Sequence, residues 1–111
     1  MNPNTEISKT QVKKFKYPKD LPKRYKQYLS SANNKGIRFE FSVEQFEDLV
    51  SRDCNYCGKS NSQGLDKINP KGDYVFENVV PCCSKCNFMK FTFTVEDFIN
   101  QVEKIYKFNN P

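Results

Sequence analysis

Two Cys-x-x-Cys pairs, Cys54-Asn-Tyr-Cys57 and Cys83-Ser-Lys-Cys86, stand 25 residues apart in this chain. Each pair sets two thiolates on a tight turn, and two such turns build a tetrahedral four-sulfur site with bonds of about 2.3 Å. No other feature limits the fold as much, because the chain must return to itself across that interval. The interval exceeds the common spacing of about 15–20 residues and leaves room for a hairpin. Disulfides or a redox pair are the competing readings. The N-terminus MNPNTEISKT lacks an apolar leader, so a reducing, intracellular compartment is expected and zinc is favoured. Four thiolates fill the coordination sphere, so this zinc is expected to be a structural staple and not a catalytic centre. Cys82 directly precedes Cys83, which leaves open which of the two is the third ligand.

The same chain has no histidine among its 111 residues. That excludes a His general base, a Ser-His or Cys-His nucleophile pair and any histidine metal ligand. Its length suits one small domain with a modest core. Ten Phe and six Tyr supply that core despite a mean hydropathy of −0.79. No apolar run approaches the ~20 residues of a membrane span. The net charge of +5 is uneven: residues 1–40 hold ten Lys/Arg against three acids, and residues 41–111 hold eight against ten. Lys13, Lys14, Lys16, Lys23, Arg24 and Lys26 interleave with Phe15, Tyr17 and Tyr25. Such a mixture suits a phosphate backbone plus stacking on bases, and equally a solvated Lys-rich arm. Fifteen Lys against three Arg reflects an AT-rich genome, a compositional hint of a phage or other viral gene.

Residues 1–20 read as a basic flexible arm and 21–111 as one domain. Leu21, Tyr25, Tyr28, Leu29 and Ala32 recur at helical spacing, so a helix is expected near 21–33, ended by Asn34 and Gly36. Ile37 to Phe41 alternates apolar and polar and predicts a short strand. Ser42-Val-Glu-Gln45 is a capping box for a helix over about 43–52, with Val43, Phe46, Leu49 and Val50 inward. Thr94 caps a last helix, about 95–107, whose Val95, Phe98, Ile99, Val102 and Ile105 share a face expected to pack on the domain.

Several motifs between and around the cysteines resemble the zinc-stapled, phage-type branch of the HNH (His-Asn-His) endonucleases. They are Cys54-x-Tyr-Cys-Gly, Gly64-Leu-Asp-Lys-Ile-Asn69, Gly72-Asp-Tyr74, Glu77-Asn-Val-Val-Pro-Cys82 and Cys86-Asn-x-x-Lys90. The resemblance spans roughly residues 21–100 and implies an α+β domain. At its centre is a ββα-metal finger, a hairpin from about 64–68 to 79–82 followed by a helix from about 84. A helix-strand-helix leader precedes it and a C-terminal helix closes it. Carried over by position, Asp66 matches the strand ligand and Asn87 the helix ligand of a catalytic Mg2+ or Mn2+. Asn78 matches the central Asn, and Lys67 occupies the place of the His. A carboxylate, an amide oxygen and waters suit such a hard ion. A protonated lysine cannot accept water's proton, so Lys67 is expected to grip a phosphate, as is an exposed Lys90. Asn69 is either a further ligand or the start of the hairpin turn.

The resemblance thus implies a metal-dependent endonuclease or nickase acting on DNA. Two alternatives stand beside it: a catalytically degenerate domain that binds nucleic acid, and a zinc-stapled protein–protein adaptor. With no separate recognition domain visible, weak sequence specificity or recruitment by a protein partner is expected.

Overall fold

The structure, a computed structural model, describes residues 22–111. The proposed arm over 1–20, with Lys13, Lys14 and Lys16, lies outside the described residues, as does Leu21.

Helix α1 (Lys23–Lys35) starts after Pro22 and stops at Gly36, whose φ of 69° is the left-handed conformation that ends helices. The Ile37 N–H then bonds back to the Ala32 carbonyl at 3.0 Å. Residues 37–41 keep the expected alternation, with Arg38 and Glu40 exposed and Phe41 buried. They form no strand, which corrects the sequence expectation. Phe39 makes an isolated parallel bridge to Tyr74, and the single-turn 3-10 helix Phe76–Asn78 then leads the facing chain away. Arg38 clamps this crossing through Asp73, its backbone N–H and its Nε donating to the two carboxylate oxygens at 3.0 and 3.1 Å.

Helix α2 (Val43–Val50) begins with the full capping box: Ser42 Oγ accepts from the Gln45 N–H, and Gln45 Oε1 accepts from the Ser42 N–H. Ser42→Ala removes one of these partners and is expected to cost about 1 kcal/mol in urea unfolding, against a few tenths for a substitution on the exposed face of α1. Strands β1 (Leu65–Lys67) and β2 (Val79–Pro81) pair antiparallel with Asp66 opposite Val80. Helix α3 (Ser84–Lys90) follows directly, and α4 (Val95–Asn109) starts on Thr94, whose Oγ1 accepts from the Asp97 N–H. The order is that of an α+β domain with a two-stranded ribbon between two helix pairs.

The main core is aromatic. Fully buried Phe46 packs its ring against Tyr25, Tyr28 and Phe39 at centroid distances of 5.5, 5.4 and 6.2 Å. Leu49, Val50, Leu65 and Val79 close this cluster, and the cysteines with Tyr56 form a second one. The apolar face of α4 does not pack as expected: Phe98 is buried, whereas Ile99, Val102 and Ile105 are 43, 38 and 52% exposed. Past Phe98 that face is only partly covered: Ile99 and Val102 border a groove shared with the cysteines and Met89.

Candidate metal centre and nucleic-acid groove

The Sγ atoms of Cys54, Cys57, Cys83 and Cys86 lie within 4.8 Å of one another. Those of Cys57 and Cys83 are 3.7 Å apart, close to the ~3.8 Å that a tetrahedral ion with bonds of about 2.3 Å requires. The donor set therefore fits Zn2+. Backbone N–H groups of Tyr56 and Cys86 point at Cys54 and Cys83 sulfurs at 3.4 Å, as knuckle turns do. Burial works against the Cys54 thiolate, but backbone hydrogen bonds from the knuckles outweigh it and bring its pKa to about 6. Cys83 belongs to the group and Cys82 does not. Cys82 is fully buried, its thiol donating to the Cys83 carbonyl at 3.3 Å, and burial pushes its pKa up.

Asp66 and Lys67 are neighbours on β1, so their side chains leave on opposite faces of the ribbon. Asp66 goes inward and is 5% exposed. Its Oδ2 accepts from the Tyr56 hydroxyl at 2.7 Å, and both its oxygens face the Lys90 ammonium, at 3.1 and 3.3 Å. Lys90 is not the exposed phosphate contact expected from the sequence; it is fully buried. The signal was present: Lys90 lies one helical turn after Cys86, so the zinc ligand that faces inward carries Lys90 with it. Burial and the Asp66 carboxylate hold the Tyr56 phenol protonated by raising its pKa.

Lys67 turns to the hairpin loop instead. Its ammonium donates to the Gly72 carbonyl at 3.1 Å and lies 5.1 Å from the centre of the Tyr74 ring. Partial burial and nearby Lys35 lower its pKa. Asn78 spends its amide on the same loop: Oδ1 accepts from the Asn69 N–H at 2.9 Å, and Nδ2 donates to the Asn69 and Asp73 carbonyls at 3.1 and 3.0 Å. No hydrogen bond joins it to Lys67 among the described residues. Asn69 makes a turn, its Oδ1 accepting from the Lys71 N–H at 3.1 Å. Asn87, on α3, donates from Nδ2 to the Leu65 carbonyl at 2.9 Å, which puts it beside the start of β1. As they stand, these residues do not fit a divalent ion: Asp66 already holds an ammonium, and a second cation there would face it in a buried setting.

A groove of about 870 Å3 runs along the four-cysteine cluster. Arg24 of α1, Lys59 after the first knuckle, Lys85 within the second and Asn87 line it beside apolar Met89, Phe98, Ile99 and Val102, and no Asp or Glu does among the described residues. Lys59 and Lys85 were not singled out from the sequence, where they are isolated charges beside cysteines. Lys23 and Lys26 point elsewhere, lining a shallow groove on α1 with Lys35. At the rear of the site the chain approaches itself closely: a Cβ on Gly64 would lie 2.8 Å from the Cys82 carbonyl oxygen and 3.0 Å from the Tyr28 hydroxyl.

Comparison with known proteins bears on the fold. No family model matches the chain. The structure of a rare-cutting HNH restriction endonuclease, PacI, superposes with a TM-score of 0.61 and 20% identity, covering 95% of this chain and 92% of that one. The protein therefore has an HNH-like fold. An uncharacterized protein of Acanthamoeba polyphaga mimivirus is 42% identical over 79 residues, which are 68% of this chain. The matched stretch is 15% of that relative's length. Among the described residues no helix is long and apolar enough to cross a membrane.

Proposed function

We propose that this chain is a zinc-stapled, HNH-like domain that grips nucleic acid, with DNA its expected partner. The observation that carries the reading is the groove lined by Arg24, Lys59 and Lys85 without a carboxylate. Its shape and sign suit a phosphate backbone. Lys59 and Lys85 flank thiolates and partly serve their charge. Arg24 belongs to no knuckle and is the most telling cation of the three. The likeness to an endonuclease described as perturbing DNA supports the same partner. The segment 1–20, with Lys13, Lys14 and Lys16, carries further positive charge in the sequence, and the mimivirus relative fits a viral origin.

Phosphate contacts make log K fall linearly with log salt. Fluorescence anisotropy with duplex DNA across a salt series is expected to give such a line. Arg24→Ala should flatten its slope by about one contact, near 0.9, while thermal stability stays unchanged. Absent or salt-independent binding to DNA and RNA would sink the reading and leave the adaptor.

Metal-dependent cleavage, with Mg2+ or Mn2+ at Asp66 and Asn87, is the second reading, and it requires the Lys90 ammonium, 3.1 Å from Asp66 Oδ2, to give way to the ion. It is favoured by the bond from Asn87 to Leu65, which brings the two candidate ligands to the same stretch of β1. Nicking of supercoiled plasmid in Mg2+ or Mn2+, lost in Asp66→Ala, would establish it. A clean wild-type protein that leaves plasmid intact with either ion rules it out.

A further inference from the structure

The Asp66 site raises a question that the nucleic-acid reading does not answer: what balances its charge. Lysine's ammonium has three N–H donors, and here three acceptors surround it. They are Asp66 Oδ1 at 3.3 Å, Asp66 Oδ2 at 3.1 Å and the Lys67 carbonyl at 3.3 Å. The Tyr56 hydroxyl completes the shell of Oδ2 at 2.7 Å. Both charged side chains are enclosed, with 0% exposure for Lys90 and 5% for Asp66.

We propose that Asp66 takes its cation from the chain itself, the Lys90 ammonium standing where an HNH-type site is expected to hold a divalent ion, so that the domain needs no Mg2+ or Mn2+. Charge balance supports this. One carboxylate and one ammonium are neutral together, and Asn87 adds no charge. Among the described residues, the grouped acidic, Cys or His side chains placed to hold a metal are the four cysteines. A divalent ion added beside Asp66 would leave the enclosed site strongly positive, with ammonium and metal in mutual repulsion at low dielectric. Position supports it too. Lys90 is one turn from Cys86 on a seven-residue helix, so the zinc staple that aims Cys86 inward also aims the ammonium at β1. Zinc thus organises the cation it does not itself supply.

The proposal is tested without nucleic acid, so its failure is distinct from failure of the binding reading. The zinc-loaded full chain is titrated with Mn2+ and bound ion is counted by electron paramagnetic resonance. The wild type is expected to hold no stoichiometric Mn2+. Lys90→Met keeps the apolar stem without the charge and is expected to bind Mn2+ at least roughly tenfold more tightly than wild type. Stoichiometric Mn2+ on the wild type, lost in Asp66→Asn with zinc retained, overturns the proposal. A folded Lys90→Met that gains no Mn2+ overturns it as well. Because Lys90→Met leaves an enclosed, unpaired carboxylate and endangers folding, amine labelling of the wild type read by mass spectrometry provides a second arm. Lys90 is expected to stay unlabelled with and without Mn2+ while Lys23 and Lys26 react. Labelling of Lys90 that depends on Mn2+ overturns the proposal.

Discussion

Stripping zinc with a strong chelator is expected to unfold the protein outright, with loss of the far-UV helical signal and release of one Zn2+ per chain. Binding of a structural zinc by four thiolates is worth about 10–16 kcal/mol in apparent free energy. A small domain is stable by only about 5–15 kcal/mol in all, so the metal's share is of the order of the whole. The architecture makes the dependence severe. The cysteines tie the loop after α2 to the start of α3, and the ribbon between them is only three residues per strand. Cys83→Ser should behave like the chelated protein, since Cys83 both belongs to the four-sulfur group and caps α3. Cys82→Ser, at a thiol outside the metal group, should retain one zinc, although it buries a hydroxyl and lowers stability. A chelated protein that keeps a sharp thermal transition would contradict this account.

Phe46→Ala is expected to cost about 3–5 kcal/mol, read as a lower urea midpoint at unchanged slope. Phe46 is fully buried and its ring meets three other aromatic rings, drawn from α1 and from the extended segment after it. Truncation leaves a cavity that those rings, held by hydrogen bonds from Tyr25 to the Phe41 carbonyl at 2.8 Å and between Tyr28 and Leu65, cannot easily collapse into. Ile105→Ala, by contrast, changes a residue 52% exposed on α4 and should shift stability by no more than about 0.5 kcal/mol. A large loss at Ile105 in the isolated chain would mean that the α4 face is covered in solution.

These expectations separate what local chemistry dictates from what packing decides. Ser42 and Thr94 announced the starts of α2 and α4, because a cap is a contact within one helical turn. Gly36 announced the end of α1 for the same kind of reason, a backbone conformation that it alone takes easily. Periodicity identified which residues of α4 share a face, yet it carries no information on what lies opposite. Val102 and Ile105 are therefore aligned with Phe98 and still exposed. The strand expected over 37–41 has the right alternation, but a strand is defined by its partner, and here the partner chain turns away after one bridge at Tyr74.

The candidate site divides along the same line. Spacing in the sequence alone determined the four-cysteine group and the absence of histidine chemistry, since those follow from residue type and short-range geometry. It left room for a hairpin between the knuckles, while the ribbon's position and the helix after it came from the resemblance to HNH nucleases. Only the tertiary structure decided how the charged residues are used. Lys90 meets a carboxylate 24 positions earlier in the chain, Lys67 leaves on the other side of the ribbon, and Arg24 joins Lys59 and Lys85 from a different element. A lysine is solvated or enclosed according to what surrounds it in space. Helical spacing from Cys86 turns Lys90 inward, but the carboxylate it meets there is set by long-range contacts that no local pattern encodes.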